Sequence, residues 1–318
     1  MASYLVTGGA GFIGSNLVHE LVRRGEHVRV LDDLSTGRPE NLRGILDKIE
    51  FIEGDICDEE TVRRAMYGMD YVLHQAALPS VQRSVNNPIA SNRVNVNGTL
   101  TLLMAAREQR VKRFVIASSS SVYGDTPVLP KVEDMPINPL SPYATSKLAA
   151  EKYAMNFYKL YGLPTVALRY FNVFGPRQNP KSQYAAVIPK FITAMLKGEL
   201  PVVYGDGEQS RDFTFIENVV QANLQACHSE KAPGHVVNIA CGQRYSLNDL
   251  LRMLERVLEV PANAVYESPR PGDVKHSLAS IELARDVLDY KPQVSFEEGL
   301  RRTVAWYQET VQETFSLA

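Results

Sequence analysis

The sequence predicts an α/β protein: a doubly wound parallel sheet with a smaller, interleaved C-terminal substrate domain. Two observations lead there. Short β-branched apolar runs alternate with amphipathic stretches through the first half of the chain, and strands joined by helical crossovers must run parallel. The length of 318 residues, 45% of them hydrophobic, is about twice that of one average domain and fills a sizeable core.

The runs fall in order at 3–7, 28–32, 50–53, 71–74, 113–118 and 166–170, each short and bounded by turn residues. Helical stretches are expected between them at 12–24, 41–47, 59–66, 90–108 and 142–162. In the first, Leu17, Val18, Leu21 and Val22 form one apolar stripe. In the last, Ser141 reads as the N-cap and Pro142 as the first turn. A loop rich in Gly, Pro, Asn and Gln at 172–184 marks a domain change near 170. Two later runs, Phe213–Ile216 and Val236–Ile239, are expected to rejoin the main sheet. The division is therefore 1–170, with 213–239 returning to the sheet, and 171–318.

With 34 basic and 36 acidic residues the net charge is −2, which gives no electrostatic footprint for nucleic acid or an anionic membrane. No apolar run approaches the roughly 18 residues of a membrane span, and the N-terminus reads as a strand running into glycines, not as a secretory signal. Cys57, Cys227 and Cys241 are odd in number and widely spaced, so a reducing, cytoplasmic location is expected. The six histidines show no ligand spacing, and no metal is expected.

The first strand ends in Thr7-Gly8-Gly9-Ala10-Gly11-Phe12-Ile13-Gly14. Gly8 and Gly11 allow a tight turn and close approach to a pyrophosphate, Gly14 lets the helix pack on the sheet, and the helix N-terminus offers N–H groups to phosphate. About 20 residues on, Asp32 ends the second strand, where it can accept from ribose hydroxyls. Asp32 and Asp33 place negative charge where NADP carries its extra phosphate, so NAD is the expected cofactor of a Rossmann-type domain; nearby Arg38 weighs the other way. Asp55-Ile56 can flank adenine, with a helix N-cap at Asp55 as the other reading.

The fifth strand ends in Ser118-Ser119-Ser120-Ser121-Val122-Tyr123-Gly124, and Tyr143 and Lys147 follow on one helical face. Bringing a tyrosine from a pKa of about 10 to about 7 takes roughly 4 kcal/mol, and a cation at about 4–6 Å supplies roughly 3–4 kcal/mol at an effective dielectric near 20. Lys147 together with a positive nicotinamide ring is enough, and a serine at the strand tip can then hydrogen-bond the reacting oxygen.

Over its whole length the chain resembles the extended short-chain dehydrogenase/reductases, specifically the nucleotide-sugar C4 epimerases of the UDP-N-acetylglucosamine and UDP-glucose 4-epimerase groups. The resemblance rests on TGGAGFIGSN (7–16), HQAA (74–77), SSSSVYG (118–124), SPYATSK (141–147), LRYFNVFGPRQNP (168–180), YAAVIPKF (184–191), GDGEQSRDFTFIENV (205–219) and RPGDVKHSLA (270–279). It implies that Tyr143 is the base, Ser119 its hydrogen-bonding partner at the substrate, and Lys147 a nicotinamide-ribose ligand. It assigns Gly8, Gly11, Phe12, Ile13, Gly14, Asp32, Asp33, Ser35, Thr36, Gly37, Asp55, Ile56, Gln75, Ala76, Ala77, Asn95 and Phe171 to NAD. It assigns Asn172, Ala186, Val187, Val202, Tyr204, Arg211, Arg270 and Asp273 to the UDP moiety, and Ser80, Gln178 and Ser277 to the sugar's surroundings. Arg211 and Arg270 suit a diphosphate because a guanidinium pairs two oxygens at once.

The implied reaction is C4 epimerisation of a UDP-sugar through a transient 4-keto sugar, with NAD regenerated. Related dehydratases and decarboxylases carry an acid just after the catalytic serine or threonine; here Ser120 and Ser121 stand there. UDP-glucuronate 4-epimerases share the serine string and are the alternative substrate class; a dinucleotide sensor without chemistry needs neither Tyr143 nor Lys147. Serine at 277, where a bulky tyrosine accompanies restriction to plain hexoses in the resembling enzymes, implies room for an N-acetyl group. The resemblance also implies a homodimer through the helices at 90–108 and 142–162, with apolar surface from Leu100, Leu102, Leu103, Met104, Phe157, Leu160 and Tyr161.

Overall fold

A computed structural model describes residues 1–180, 186–269 and 275–316, with side chains as far as 310. In chain order the first part consists of β1 (Ser3–Thr7), α1 (Phe12–Arg23), β2 (His27–Asp32), β3 (Glu50–Glu53), α2 (Glu59–Met66), β4 (Tyr71–His74), α3 (Val81–Asn86), α4 (Pro88–Asn92), α5 (Thr99–Glu108), β5 (Arg113–Ser119), α6 (Pro142–Tyr161) and β6 (Thr165–Tyr170). Then follow β7 (Val173–Phe174), α7 (Val187–Leu196), β8 (Val202–Tyr204), β9 (Ser210–Arg211), β10 (Thr214–Phe215), α8 (Ile216–His228), β11 (Val236–Ile239), β12 (Tyr245–Ser246), α9 (Leu247–Leu258), β13 (Val265–Glu267), α10 (Glu282–Leu288) and α11 (Phe296–Ser316).

Seven parallel strands form the main sheet in the order β11-β6-β5-β4-β1-β2-β3. Successive side chains on a strand point to opposite faces, and both faces are apolar. Tyr4, Val6, Val30, Leu73, Val115, Val166 and Leu168 join α1 and α8 on one side. Leu5, Leu31, Val72, Phe114, Ile116 and Ala167 join α2, α5 and α6 on the other. The strand order reverses between β1 and β4, whose last residues, Thr7 and His74, are paired, so a cleft opens beyond their carboxyl ends.

Val236–Ile239 rejoins the main sheet beside β6. The run at 213–216 does not: Thr214–Phe215 pairs with β7 in a separate two-stranded sheet, and Ile216 already begins α8. Packing decides this, since Phe213 stacks on Phe296 at 4.9 Å and Phe174 meets Phe213, Phe215 and Phe296, forming an aromatic core away from the main sheet. The helix expected at 41–47 is also absent; short 3₁₀ turns at Pro39–Leu42 and Leu46–Lys48 flank Gly44, whose φ of 81° interrupts a right-handed helix. The stretch at 90–108 is helical but carries a π turn over Arg93–Gly98.

Candidate active site

Gly8 sits at φ 68°, and a Cβ there would lie 2.7 Å from the backbone of Ala76; at Gly14 it would lie 2.0 Å from the Gly8 carbonyl oxygen. The turn therefore brings strand, helix and β4 loop closer than any side chain permits. Helix α1 starts at Phe12 with Gly11 as N-cap and no side-chain cap, which leaves its first N–H groups for an anion. The cleft above, about 380 Å³, is lined by Gly8, Gly11, Phe12, Ile13, Gly14, Asp32, Asp33, Ser35, Thr36, Ile56, Gln75, Ala76, Ala77, Tyr143, Lys147, Gln178 and Ala186 of the expected residues.

Asp32 is nearly buried, and its carboxylate accepts from the N–H groups of Ala10 and Leu34, both at 2.9 Å. Burial raises its pKa against these bonds. Asp33 accepts from the N–H and hydroxyl of Ser35, and the nearby cation Arg38 faces Glu40 at 3.7 Å. A second anionic group at this end would meet two carboxylates. The uncapped helix, the side-chain-free turn and the acidic strand end together fit NAD.

Several expected cofactor residues stand behind the cleft wall. Asn95, in the π turn, is buried and fully engaged: its Oδ1 accepts from Leu78 N–H at 2.7 Å, and its Nδ2 donates to Ser146 Oγ at 2.9 Å and to the Leu78 carbonyl. Phe171 is fully buried, Gly37 packs against Asp32, and Asp55 pairs with Arg93 and accepts from Cys57 N–H. The N-cap of α2 is Asp58, not Asp55: Asp58 accepts from Thr61 N–H at 3.0 Å. Ser80 caps α3 from a φ of 92°.

The catalytic candidates meet where β5 and α6 converge. Ser141 caps α6 by accepting from Ala144 N–H at 3.1 Å, which places Tyr143 in the first turn and Lys147 one turn on. The Tyr143 ring keeps some exposure toward the cleft, while its crowded hydroxyl is pushed up in pKa by burial and pulled down by a hydrogen bond with Ser119. Ser119 Oγ accepts from both the N–H and the hydroxyl of Ser121, at 3.2 and 2.9 Å. Burial lowers Lys147 to a pKa of about 8. At Tyr143 burial thus outweighs the hydrogen bond with Ser119, and positive charge brought beside the phenol would work against that burial.

A second pocket, about 280 Å³, is lined by Asn172, Ala186, Val187, Val202, Tyr204, Arg211 and hydrophobic neighbours; Ala186 lines both pockets, so the two abut. Ser277 is half-buried and its N–H donates to the Ser210 carbonyl at 3.0 Å, beside Arg211. Arg270 and Asp273 lie outside the described residues. Arg83, Tyr170 and Arg177 line the dinucleotide cleft and were not singled out from the sequence, although Tyr170 and Arg177 fall within the RYFNVFGPRQ string. No cluster of metal-ligating side chains and no helix long and apolar enough to cross a membrane occurs among the described residues.

The model of the NAD dependent epimerase/dehydratase family matches residues 4–240. The chain is 40% identical to a UDP-glucose 4-epimerase of Mycolicibacterium smegmatis, over 97% of this chain and 99% of that protein. Among solved structures, a UDP-N-acetylglucosamine 4-epimerase from Methanobrevibacter ruminantium M1 in complex with UDP-N-acetylmuramic acid is 43% identical with a TM-score of 0.93, covering 97% of this chain and 99% of that one. A UDP-glucose 4-epimerase of Thermotoga maritima with UDP-glucose is 39% identical with a TM-score of 0.92, at the same coverage.

Proposed function

The chain belongs to the NAD-dependent epimerase/dehydratase family, and we propose that it is an isomerase inverting C4 of UDP-hexoses, both UDP-glucose/UDP-galactose and UDP-GlcNAc/UDP-GalNAc. The observation that carries this reading is Tyr143, hydrogen-bonded to Ser119, lining a dinucleotide cleft that abuts the pocket lined by Asn172 and Arg211. NAD in that cleft supplies the reversible oxidation at C4. Tyr143 Oη takes the proton of the 4-hydroxyl, Ser119 hydrogen-bonds the same oxygen, and Lys147 supplies a buried cation beside them. When the 4-keto sugar has presented its other face, Tyr143 returns the proton and no net oxidation results.

The family also includes dehydratases, whose chemistry needs an acid beside the reacting centre. Here Ser121 stands next to Ser119 and donates to it, and the carboxylates lining the cleft, Asp32 and Asp33, stand at the β2 end. Epimerisation is the reaction these groups support. Incubation with UDP-glucose, UDP-N-acetylglucosamine and UDP-glucuronate separately, followed by product analysis, tests it: C4-inverted products are expected from the first two, and inversion of UDP-glucuronate alone overturns the substrate class.

Ser277 carries the breadth of substrate. A pocket wall excludes what clashes with it, whereas an open pocket loses only about 1–3 kcal/mol of contact with a smaller ligand. Ser277→Tyr is expected to reduce kcat/KM for UDP-N-acetylglucosamine at least about tenfold and to leave UDP-glucose within about threefold. Equal loss of both, or of neither, removes Ser277 as the gate.

A homodimer through α5 and α6 belongs to the same proposal. Leu102, Leu103 and Phe157 are consumed by the core, but Met104, Leu160 and Tyr161 stay exposed. Sedimentation equilibrium at micromolar concentration should return twice 35.4 kDa; a mass of one chain refutes the dimer.

A further inference from the structure

Asp212, the residue after β9, is fully buried. Three backbone N–H groups converge on its carboxylate: Cys241 donates to Oδ1 at 3.0 Å, and Gly242 and Ala279 donate to Oδ2 at 3.1 and 3.2 Å. Cys241 and Gly242 follow β11, the edge strand of the main sheet. Ala279 ends a segment that runs beside β9, with Ser210 N–H donating to the Lys275 carbonyl and Ser277 N–H to the Ser210 carbonyl, both at 3.0 Å. The Asp212 carbonyl in turn accepts from Asn172 Nδ2 at 3.2 Å. Asn172 is thus bound to Asp212, and the Arg211 side chain and the Ser277 N–H to the Ser210 carbonyl two residues before it.

We propose that Asp212 is a positioning residue for the UDP-sugar: its ionised carboxylate holds Asn172, Arg211 and Ser277 in one frame anchored to the main sheet, and its protonation weakens substrate binding. The proposal rests on the UDP-hexose reading above. Only a carboxylate can accept all three N–H groups; an asparagine of the same shape turns one oxygen into a donor facing other donors. Among the described residues no cation pairs with Asp212, and burial raises it to a pKa of about 6 in spite of the backbone donors.

Among the described residues, the titratable groups that face Asp212 are Cys241, Tyr245 and Tyr290, all raised in pKa and neutral through this range. His276, hydrogen-bonded to Ser210 and surrounded by Arg211, Arg244 and Lys275, gains positive charge on acidification, which favours a diphosphate and so acts in the opposite direction. Below about 6 the folded chain holds a proton that the unfolded chain releases, so this group's contribution to fold stability rises as pH falls. Asp212 itself therefore does not drive unfolding in that window, whereas neutral His74 loses stability there, and the thermal midpoint taken at each pH separates weaker binding from unfolding.

The test is the calorimetric Kd of UDP-glucose for the NAD-loaded protein, with NAD content and thermal midpoint recorded alongside. If only the ionised form binds, Kd rises about fourfold at pH 5.5 and about elevenfold at pH 5 relative to pH 7.5. Asp212→Asn is expected to weaken binding about tenfold or more at pH 7.5, to flatten the pH dependence, and to raise KM with kcat within about threefold, NAD content unchanged. A Kd flat from pH 7.5 to 5 in both the wild type and His276→Asn, where the opposing charge is gone, overturns the proposal. So does a folded Asp212→Asn protein with wild-type affinity. A wild-type protein that binds no UDP-glucose at any pH overturns the functional reading itself, a result distinct from either.

Discussion

Tyr143→Phe is expected to lower kcat for UDP-hexose epimerisation by about 10³- to 10⁴-fold while NAD content and thermal midpoint stay at their wild-type values. The upper part of the range for acid–base catalysis applies because both half-reactions pass their proton through the same oxygen: Tyr143 must accept it from the 4-hydroxyl and later return it. The ring itself stays, so the packing of the first turn of α6 is unchanged, and the Tyr143 backbone N–H still donates to Ser84 Oγ at 2.9 Å. What disappears is the hydroxyl that meets Ser119. A phenylalanine variant that keeps even a tenth of wild-type kcat removes Tyr143 from the role of base.

The surroundings of Tyr143 oppose its ionisation in the protein alone. Burial raises the phenol and only Ser119 counters it, while Lys147, at a pKa of about 8, is about nine-tenths protonated at pH 7. A cation near a phenol favours tyrosinate, whereas burial disfavours it. The sequence-based expectation that Lys147 and a nicotinamide cation act together answers this burial, because positive charge beside the phenol favours the tyrosinate that burial disfavours.

Features set by local periodicity were legible in the sequence. The glycine turn, the strand ends at Thr7, Asp32 and Ser119, and the one-turn spacing of Tyr143 and Lys147 all depend on residues within a few positions of one another. Features closed across the fold were not. Thr7 Oγ1 meets His74 Nδ1 at 2.7 Å and His74 Nε2 meets Thr99 Oγ1 at 2.9 Å, joining β1, β4 and α5 beneath the cleft. Burial, then Lys147, holds His74 down to a pKa of about 3, so it stays neutral and braces the wall. Nothing near His74 in sequence announces this. The π turn at Arg93–Gly98 escaped for another reason: one extra residue in a helical turn barely disturbs an apolar stripe. The return of 213–216 to the main sheet failed because an apolar tetrapeptide does not say which sheet its aromatics will pack against.

Glu151 is the sharpest of these cases, and it carries the second large prediction: Arg169→Met is expected to destabilise the fold by about 3–5 kcal/mol. On a helix, a glutamate four residues after a lysine reads as a solvated surface pair. In the fold Glu151 is 0% exposed and Arg169 1%. Arg169 donates to Glu151 Oε1 and Oε2 at 2.7 and 2.9 Å, Ser118 Oγ donates to Oε2 at 2.7 Å, and Arg169 also donates to Tyr123 Oη, which donates to Asn238 on β11. Strands β5, β6 and β11 and helix α6 are thus tied together directly behind Ser119 and Tyr143. Methionine fills much of the arginine's volume but leaves a buried carboxylate with one hydroxyl donor, and that uncompensated charge is the source of the cost. At roughly 0.7 kcal/mol per degree for a chain of this length, about 4 kcal/mol lowers the thermal midpoint by about 6 °C. Adding Glu151→Leu to Arg169→Met removes the stranded charge and should recover at least about half of the loss. If the double variant is as unstable as the single one, the pair acts through shape and not through its charges; if Arg169→Met unfolds within a degree of wild type, the network is not what holds the strand-five tip against α6.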